Sequence, residues 1–255
     1  MVSARDVVTG HVPDGLIYGP VTSRRFGRSL GVSCDAPGQV GCAWACPYCQ
    51  LGEQPRGRHV AVPAERIIDD LRVALIDHAA DCDVVCVAGN GEPTDHPEFP
   101  VIAMAVAQLA RIHGLRSILL TNGDGLMTPA VGCACEEFDE VHVKFDPGPN
   151  DGAWRHFDVD TAERRRAMLR NVPELRIQAL IYQGPGESPG NADAVARQRW
   201  LTDLVGLPVV SVDLSTVARD TRRAGIEAVD DTVLEQWRRD CDAVLQVPVR
   251  VYGAS

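Results

Sequence analysis

The sequence predicts an α/β protein with a mainly parallel sheet, and two observations lead to this prediction. Short apolar runs of strand length alternate with longer segments of helical periodicity, giving six strand–helix units and one further strand. The residues suited to chemistry directly follow the strands, where parallel α/β proteins place their functional loops. Periodicity alone leaves two arrangements open, a barrel and a flavodoxin-like doubly wound sheet.

Each element follows from the apolar pattern and its flanking stop signals. Strands are predicted at 28–34, 83–88, 116–121, 140–145, 175–182, 209–214 and 247–252. Helices are predicted at 63–80, 97–113, 127–138, 160–170, 191–205 and 231–244. The first helix carries an apolar stripe made of Ile67, Ile68, Leu71, Leu75 and Ile76. We expect an N-terminal extension at 1–27, one domain at 28–244, and an edge strand with a tail at 245–255.

Composition limits the classes of function. Hydrophobic residues make up 45% of the chain, enough for a sizeable core, and no apolar run approaches the length of a membrane span. The net charge of −10 argues against a broad nucleic-acid surface, which needs a basic patch. Residues 1–9 are polar and lack the apolar core of a signal peptide, so the nine cysteines predict a reducing cytoplasm.

A loop after the first predicted strand carries Cys42, Cys46 and Cys49, with three and then two residues between them. Three thiolates from one loop can hold three irons of a [4Fe–4S] cluster and leave the fourth iron open to a chelating small molecule. Two alternatives remain at this point. A zinc site usually takes four ligands, often in two separated pairs, and the cysteines could also belong to the core.

Two further loops carry polar residues at strand ends. Gly91 and Glu92 follow the second predicted strand, where glycine permits close approach of a ligand and a carboxylate suits an ammonium group. Thr121 and Asn122 follow the third, and small polar side chains there can hydrogen-bond hydroxyl groups. Ordinary βα turns have the same composition, so each motif is also consistent with a turn.

Three charged residues are candidates for contact with a substrate. Lys144, the only lysine of the chain, and Asp146 lie at the end of the fourth predicted strand. They fit either a substrate pocket or a structural ion pair, because buried charges need partners. Arg219 follows the sixth strand and could bind a carboxylate or phosphate, or form a surface salt bridge.

The cysteine spacing, with Tyr48 directly before the third cysteine, resembles the radical S-adenosylmethionine (SAM) superfamily. The segments 18–31 and 50–52 are similar to a subgroup of short members, loosely related to wyosine- and elongator-type enzymes, most without an assigned substrate. The resemblance runs from about residue 17 to residue 219. It implies a partial (βα)6 TIM-like barrel in a single domain, in agreement with the number of predicted units.

The resemblance also implies cofactors and their ligands. Cys42, Cys46 and Cys49 would bind the [4Fe–4S] cluster, and SAM would chelate its open iron. The SAM contacts would come from Tyr48 along the adenine, Gly91 and Glu92 at the amino group, Thr121 and Asn122 at the ribose, and the Ile181 backbone at the adenine. Asn90 replaces the first glycine of the family motif, and Asp220 stands where a proline usually follows the arginine.

The implied activity is reductive cleavage of SAM to a 5′-deoxyadenosyl radical, which abstracts hydrogen from a substrate near Lys144, Asp146 and Arg219. The electron would come from a reductant such as flavodoxin or ferredoxin. The negative charge, and a chain that ends soon after the sixth unit, favour a small-molecule or small-peptide substrate. Two alternatives are a nucleotide- or tRNA-modifying enzyme and a non-catalytic metal-binding or electron-carrier protein. The nucleic-acid alternative would use a basic face made of Arg24, Arg25, Arg28, Arg56 and Arg58.

Overall fold

The structure is a computed structural model of the 255-residue chain. It describes residues 15–37, 41–44, 46–49, 61–148, 166–167, 169–185, 190–221 and 224–254. The chain divides into two compact units. Of the described residues, the first unit holds 15–37, 41–43 and 61–142, and the second holds 44, 46–49 and everything from 143 onwards.

The first unit is built on parallel strands flanked by helices. Its strands are β1 Ile17–Ser23, β2 Gly27–Val32, β3 Val84–Val87 and β4 Arg116–Thr121, and they are neighbours in that order. Strand β1 is antiparallel to β2, whereas β2, β3 and β4 are parallel. The helices are α1 Ala64–His78, α2 Phe99–Ile112 and α3 Pro129–Cys135. All four residues of β3 are buried, as expected for a parallel strand covered on both faces.

Strand β1 lies within the segment expected to be an N-terminal extension and was not predicted. Its residues are mostly half-buried or exposed, so the apolar alternation of a strand with one buried face is weak. Its register pairs Tyr18 with Gly31 of β2. A Cβ at Gly31 would collide with the Tyr18 ring, which explains why the upstream segment combines this tyrosine with a glycine.

The second unit repeats the parallel arrangement. Strand β5, Glu140–Lys144, begins in the first unit and ends in the second. It is followed by β6 Leu175–Gln183, β7 Val209–Thr216, β8 Glu227–Ala228 and β9 Val249–Tyr252. Strand β7 is parallel to both β6 and β9, and β8 pairs antiparallel with β6. The helices are α4 Ala194–Leu204 and α5 Asp231–Leu245, which begin at the side-chain caps Asp193 and Asp230.

The predicted elements are present, with their ends shifted by three residues or fewer where they are described. Of the helix predicted at 160–170, residues 166, 167 and 169 are helical, and most of the others lie outside the described residues. The two-residue strand β8 was missed because it is too short to show a period. Among the described residues, no helix is long and apolar enough to cross a membrane.

The apolar stripe of α1 is correct except at one position. Ile67, Ile68, Leu71 and Leu75 are buried, whereas Ile76 is 78% exposed. At about 100° per residue, the four buried residues lie within an arc of about 100° on α1, whereas Ile76 lies about 180° from Ile67, on the side of the helix away from the core.

This pair provides a matched test of the core. We expect Leu75→Ala to lower the free energy of unfolding by about 2–5 kcal/mol, because Leu75 is 1% exposed and its loss leaves a cavity. Ile76→Ala, on the neighbouring exposed residue, should change it by no more than about 0.5 kcal/mol. Chemical denaturation of both variants measures the difference. Equal losses would show that the buried face of α1 is assigned incorrectly.

Candidate functional site

The loop after β3 is folded tightly against the start of the cysteine loop. Gly91 forms an isolated parallel bridge with Gly41, and the Glu92 N–H donates to the Gly41 carbonyl at 2.6 Å. A Cβ on Gly91 would collide with the Gly41 carbonyl and with the Asp35 carboxylate, so only glycine fits there. Gly41 directly precedes Cys42, so this contact ties the Gly–Glu motif to the first cysteine of the triplet.

Glu92 is 4% exposed, and four hydrogen bonds hold its carboxylate. Oε1 accepts from the Thr94 N–H at 3.1 Å, the Thr94 hydroxyl at 2.6 Å and the Thr121 hydroxyl at 2.5 Å. Oε2 accepts from the Asn122 N–H at 2.6 Å. All of these donors are neutral, so hydrogen bonds orient the carboxylate, and among the described residues no cation is paired with it.

Burial raises the pKa of Glu92 from 4.5 to about 7, although its hydrogen bonds act in the opposite direction. The group is therefore poised between the acid and the carboxylate near neutral pH. A cation brought into contact would favour the carboxylate, which is the behaviour required of a site for an ammonium group.

Asn122 connects the carboxylate to the first cysteine. Its backbone N–H donates to Glu92, and its side-chain amide donates to the Cys42 Sγ at 3.9 Å. The Asn122 Oδ1 accepts from the Asp124 N–H at 2.8 Å, which orients the amide toward the sulfur. The first unit thus brings together five of the predicted site residues: Cys42, Gly91, Glu92, Thr121 and Asn122.

The other two cysteines lie in the second unit, at the two ends of a short turn. The Cys49 N–H donates to the Cys46 carbonyl at 3.0 Å. Tyr48, between them, is buried against Tyr182, with ring centroids 5.7 Å apart, and against Ile226. Desolvation raises the pKa of the Cys46 thiol to about 12, and the nearby Lys144 charge opposes this shift only in part. Binding of a metal by Cys46 must therefore displace a proton.

The Tyr48 hydroxyl reaches the end of β5. It donates to the Asp146 Oδ2, and the Leu180 N–H donates to the Asp146 Oδ1 at 2.8 Å. The Lys144 Nζ lies 3.8 Å from the same Oδ2 and 4.7 Å from the centre of the Tyr48 ring. Burial, with the Asp146 charge, raises the pKa of Tyr48 well above its usual value, so Tyr48 remains a protonated donor.

Two other candidates, Ile181 and Arg219, and the predicted basic face have different surroundings. Ile181 is buried in β6, and its carbonyl accepts from the Thr216 hydroxyl at 2.8 Å. Arg219 is exposed on the loop after β7. In the proposed basic face, Arg28 forms an ion pair with Asp81 at 3.5 Å, while Arg56 and Arg58 lie outside the described residues.

Two residues, one in each unit, were missed by sequence reasoning. Thr94 gives two of the four hydrogen bonds to Glu92, and its place two residues after the glutamate is the spacing of a local cap. Asn191 accepts from the Tyr182 N–H and donates to the Leu180 and Pro147 carbonyls. Nothing in the sequence around Asn191 indicates these contacts, which join distant segments.

Comparison with solved structures identifies the class of fold. The chain is similar to SuiB of Streptococcus suis in the crystal structure bound to S-adenosylmethionine, with a TM-score of 0.59 and 14% identity over 88% of this chain. It spans 50% of the SuiB chain. The chain accordingly has the mixed α/β fold of the radical SAM partial TIM barrels, and the expected fold class is confirmed.

Sequence comparison gives the family. Residues 37–198 match the family model of the radical SAM superfamily, and the chain belongs to that superfamily. It is 27% identical to a UPF0026 protein of Helicobacter pylori over 230 residues, 86% of this chain and 72% of that protein. It is 33% identical to a UPF0026 protein of Synechocystis over 134 residues, 51% of this chain and 48% of that protein. The protein is therefore a radical SAM enzyme, and its family implies a [4Fe–4S] cluster and SAM.

The titration of Glu92 predicts how stability depends on pH. The folded protein binds a proton at the Glu92 carboxyl group more tightly than the unfolded chain does, because the pKa is raised from 4.5 to about 7. The resulting stabilisation is fully present below pH 4.5 and is lost as the pH rises through about 7. The loss should be on the order of 3 kcal/mol. Chemical denaturation of the cofactor-free protein at several pH values in this range measures the free energy of unfolding. This free energy should show the decrease with pH in the wild type and not in Glu92→Gln.

Glu65→Gln is the matched control, because Glu65 is an exposed glutamate in the first turn of α1. It should keep the slope of the wild type. Parallel pH profiles for the wild type and Glu92→Gln would contradict the role of the buried carboxylate.

Proposed function

We propose that this enzyme binds one [4Fe–4S] cluster through Cys42, Cys46 and Cys49 and holds SAM at Gly91 and Glu92. Thiolates are the ligands that iron–sulfur clusters take, and one loop supplies all three. Within the described residues, no three His, Cys, Asp or Glu side chains form a group placed to hold a metal ion. The cysteine assignment therefore rests on the spacing of the triplet and on the family.

The observation that carries the proposal is the hydrogen-bond network around Glu92. It places a buried, oriented carboxylate beside the backbone of Gly41 and, through Asn122, in contact with Cys42. A carboxylate held by neutral donors can accept an ammonium group, and Gly91 lets the Gly41 backbone approach closely, which keeps this carboxylate next to the start of the cysteine loop. A [4Fe–4S] cluster held by these cysteines would, once reduced, supply the electron for cleavage of SAM to methionine and a 5′-deoxyadenosyl radical.

The protein residues bind and orient the cofactor. Glu92 would hold the SAM amino group, while Thr121 and Asn122, which both donate to the Glu92 carboxylate, would contact the ribose. Tyr48 would shield the cluster from water, because its ring is buried against Tyr182. The Ile181 backbone would contact the adenine.

For the substrate, we propose a small molecule or small peptide, with Arg219 on the exposed loop after β7 as a contact for its anionic group. The net charge of −10 and the ion pair between Arg28 and Asp81 both favour this class over nucleic acid. The reaction would be an oxidation or rearrangement begun by hydrogen abstraction. A cytoplasmic flavodoxin or ferredoxin would be the reductant.

Anaerobic reconstitution tests the cofactor assignment. With iron, sulfide and reductant, we expect about four irons per chain and formation of 5′-deoxyadenosine from SAM. Cys46→Ala should abolish 5′-deoxyadenosine and lower the iron content. Cys133→Ala removes an exposed cysteine of α3 and should leave both unchanged. Bound zinc without SAM cleavage, or equal losses in the two variants, would refute the assignment.

SAM binding tests the role of Glu92. Glu92→Gln should weaken SAM binding by at least about tenfold, or about 1.4 kcal/mol, because the charge opposite the ammonium is lost. Equilibrium dialysis with labelled SAM on the reconstituted enzyme measures this. Glu65→Gln should bind as the wild type does. Unchanged affinity in Glu92→Gln would place the SAM amino group elsewhere.

A further inference from the structure

Tyr48 lies between two of the three cysteines, and its hydroxyl makes a long-range hydrogen bond. Its hydroxyl donates to Asp146, 98 residues further on. The ring is buried against Tyr182 and Ile226, with Cys46 packed on the same cluster. The side chain therefore connects the turn that carries Cys46 and Cys49 to the end of β5.

Asp146 is occupied by protein partners. It is fully buried, and its two oxygens accept from the Tyr48 hydroxyl and from the Leu180 N–H. The Lys144 ammonium supplies the compensating charge at 3.8 Å. A carboxylate with two donors and a cation has its main interactions satisfied within the protein.

Lys144 is held in two ways. Its ammonium lies near the Asp146 carboxylate and also over the face of the Tyr48 ring at 4.7 Å, a cation–π distance. Its side chain is 24% exposed, so most of it is shielded from contact with water where both interactions form. The same lysine therefore fixes the ring of Tyr48 while the carboxylate fixes its hydroxyl.

We infer that Lys144 and Asp146 are positioning residues for the Cys46–Cys49 turn and act through Tyr48, rather than binding the substrate. The inference rests on the proposed function, since it gives this turn two cluster ligands. The reason is mechanical. Asp146 lies two residues after the end of β5 and accepts a hydrogen bond from the backbone of β6, so the end of β5 and strand β6 together set the position of Tyr48.

Hydrogen exchange on the cofactor-free protein, kept reduced and anaerobic, tests the inference without any cluster. We expect Tyr48→Phe, Asp146→Asn and Lys144→Met each to speed amide exchange in a peptide covering residues 46–49 by about tenfold or more. Exchange in a peptide from α2 should not change, which separates loss of the turn from general destabilisation. Lys144→Arg keeps the positive charge, so amide exchange in this peptide should stay as slow as in the wild type.

Tyr182→Phe is the matched control, because it removes a hydroxyl from the ring that packs on Tyr48 and leaves the Tyr48–Asp146 bond in place. In this variant, the backbone amides of residues 46–49 should exchange at the wild-type rate. If Asp146→Asn fails to fold, Tyr48→Phe still decides the question, because it removes a single oxygen atom. Wild-type exchange at 46–49 in Tyr48→Phe would overturn the inference.

The reconstituted enzyme gives a second, independent measurement. We expect Tyr48→Phe and Asp146→Asn to change the electron paramagnetic resonance spectrum of the reduced cluster in the same way, and the double variant to add nothing further. Additive changes, or an unchanged spectrum in both, would overturn the inference. If the wild type binds no cluster, the proposed function fails, while the exchange result still decides whether these residues hold the turn.

Discussion

The buried carboxylate of Glu92 is the constraint on which the first unit depends. A carboxylate out of water is costly unless hydrogen bonds replace its hydration, and here those bonds come from Thr94, Thr121 and Asn122. They join the loop after β3 to the end of β4, so the parallel register of these strands is also a condition for the site. The Gly41 contact extends the same constraint to the start of the cysteine loop.

The second unit also contains a buried carboxylate, and its charge is compensated in a different way. Asp146 is buried as deeply as Glu92, but it has a cation of its own in Lys144 and a phenol donor in Tyr48. In the described part of the chain, the hydrogen-bond donors to Glu92 are all neutral, and burial raises its pKa to about 7. This contrast in charge compensation underlies the two proposed roles: Glu92 would take up a cation from a ligand, whereas Asp146 is paired with Lys144 and is suited to holding structure.

The sequence predicts what depends on local pattern. The parallel strands, the glycine–glutamate turn and the cysteine spacing are local, and each was recognisable. Strand β1 was missed because an edge strand has little apolar alternation, and Ile76 was wrongly placed because residues next to a buried stripe can be apolar and exposed. The Tyr48–Asp146 bond could not be predicted, because no period or motif relates residues so far apart in sequence.

Positioning of the Cys46–Cys49 turn has a thermodynamic reason beyond geometry. Burial keeps the Cys46 thiol protonated, so an iron ion binding there would have to displace this proton as well as order the turn. Fixing the backbone of each loop residue costs about 1–2 kcal/mol, and a turn already held through Tyr48 does not incur that cost when the metal binds. The arrangement thus offsets an unfavourable deprotonation with pre-organisation. The Lys144 charge contributes to both, because it holds the Tyr48 ring and also favours the Cys46 thiolate.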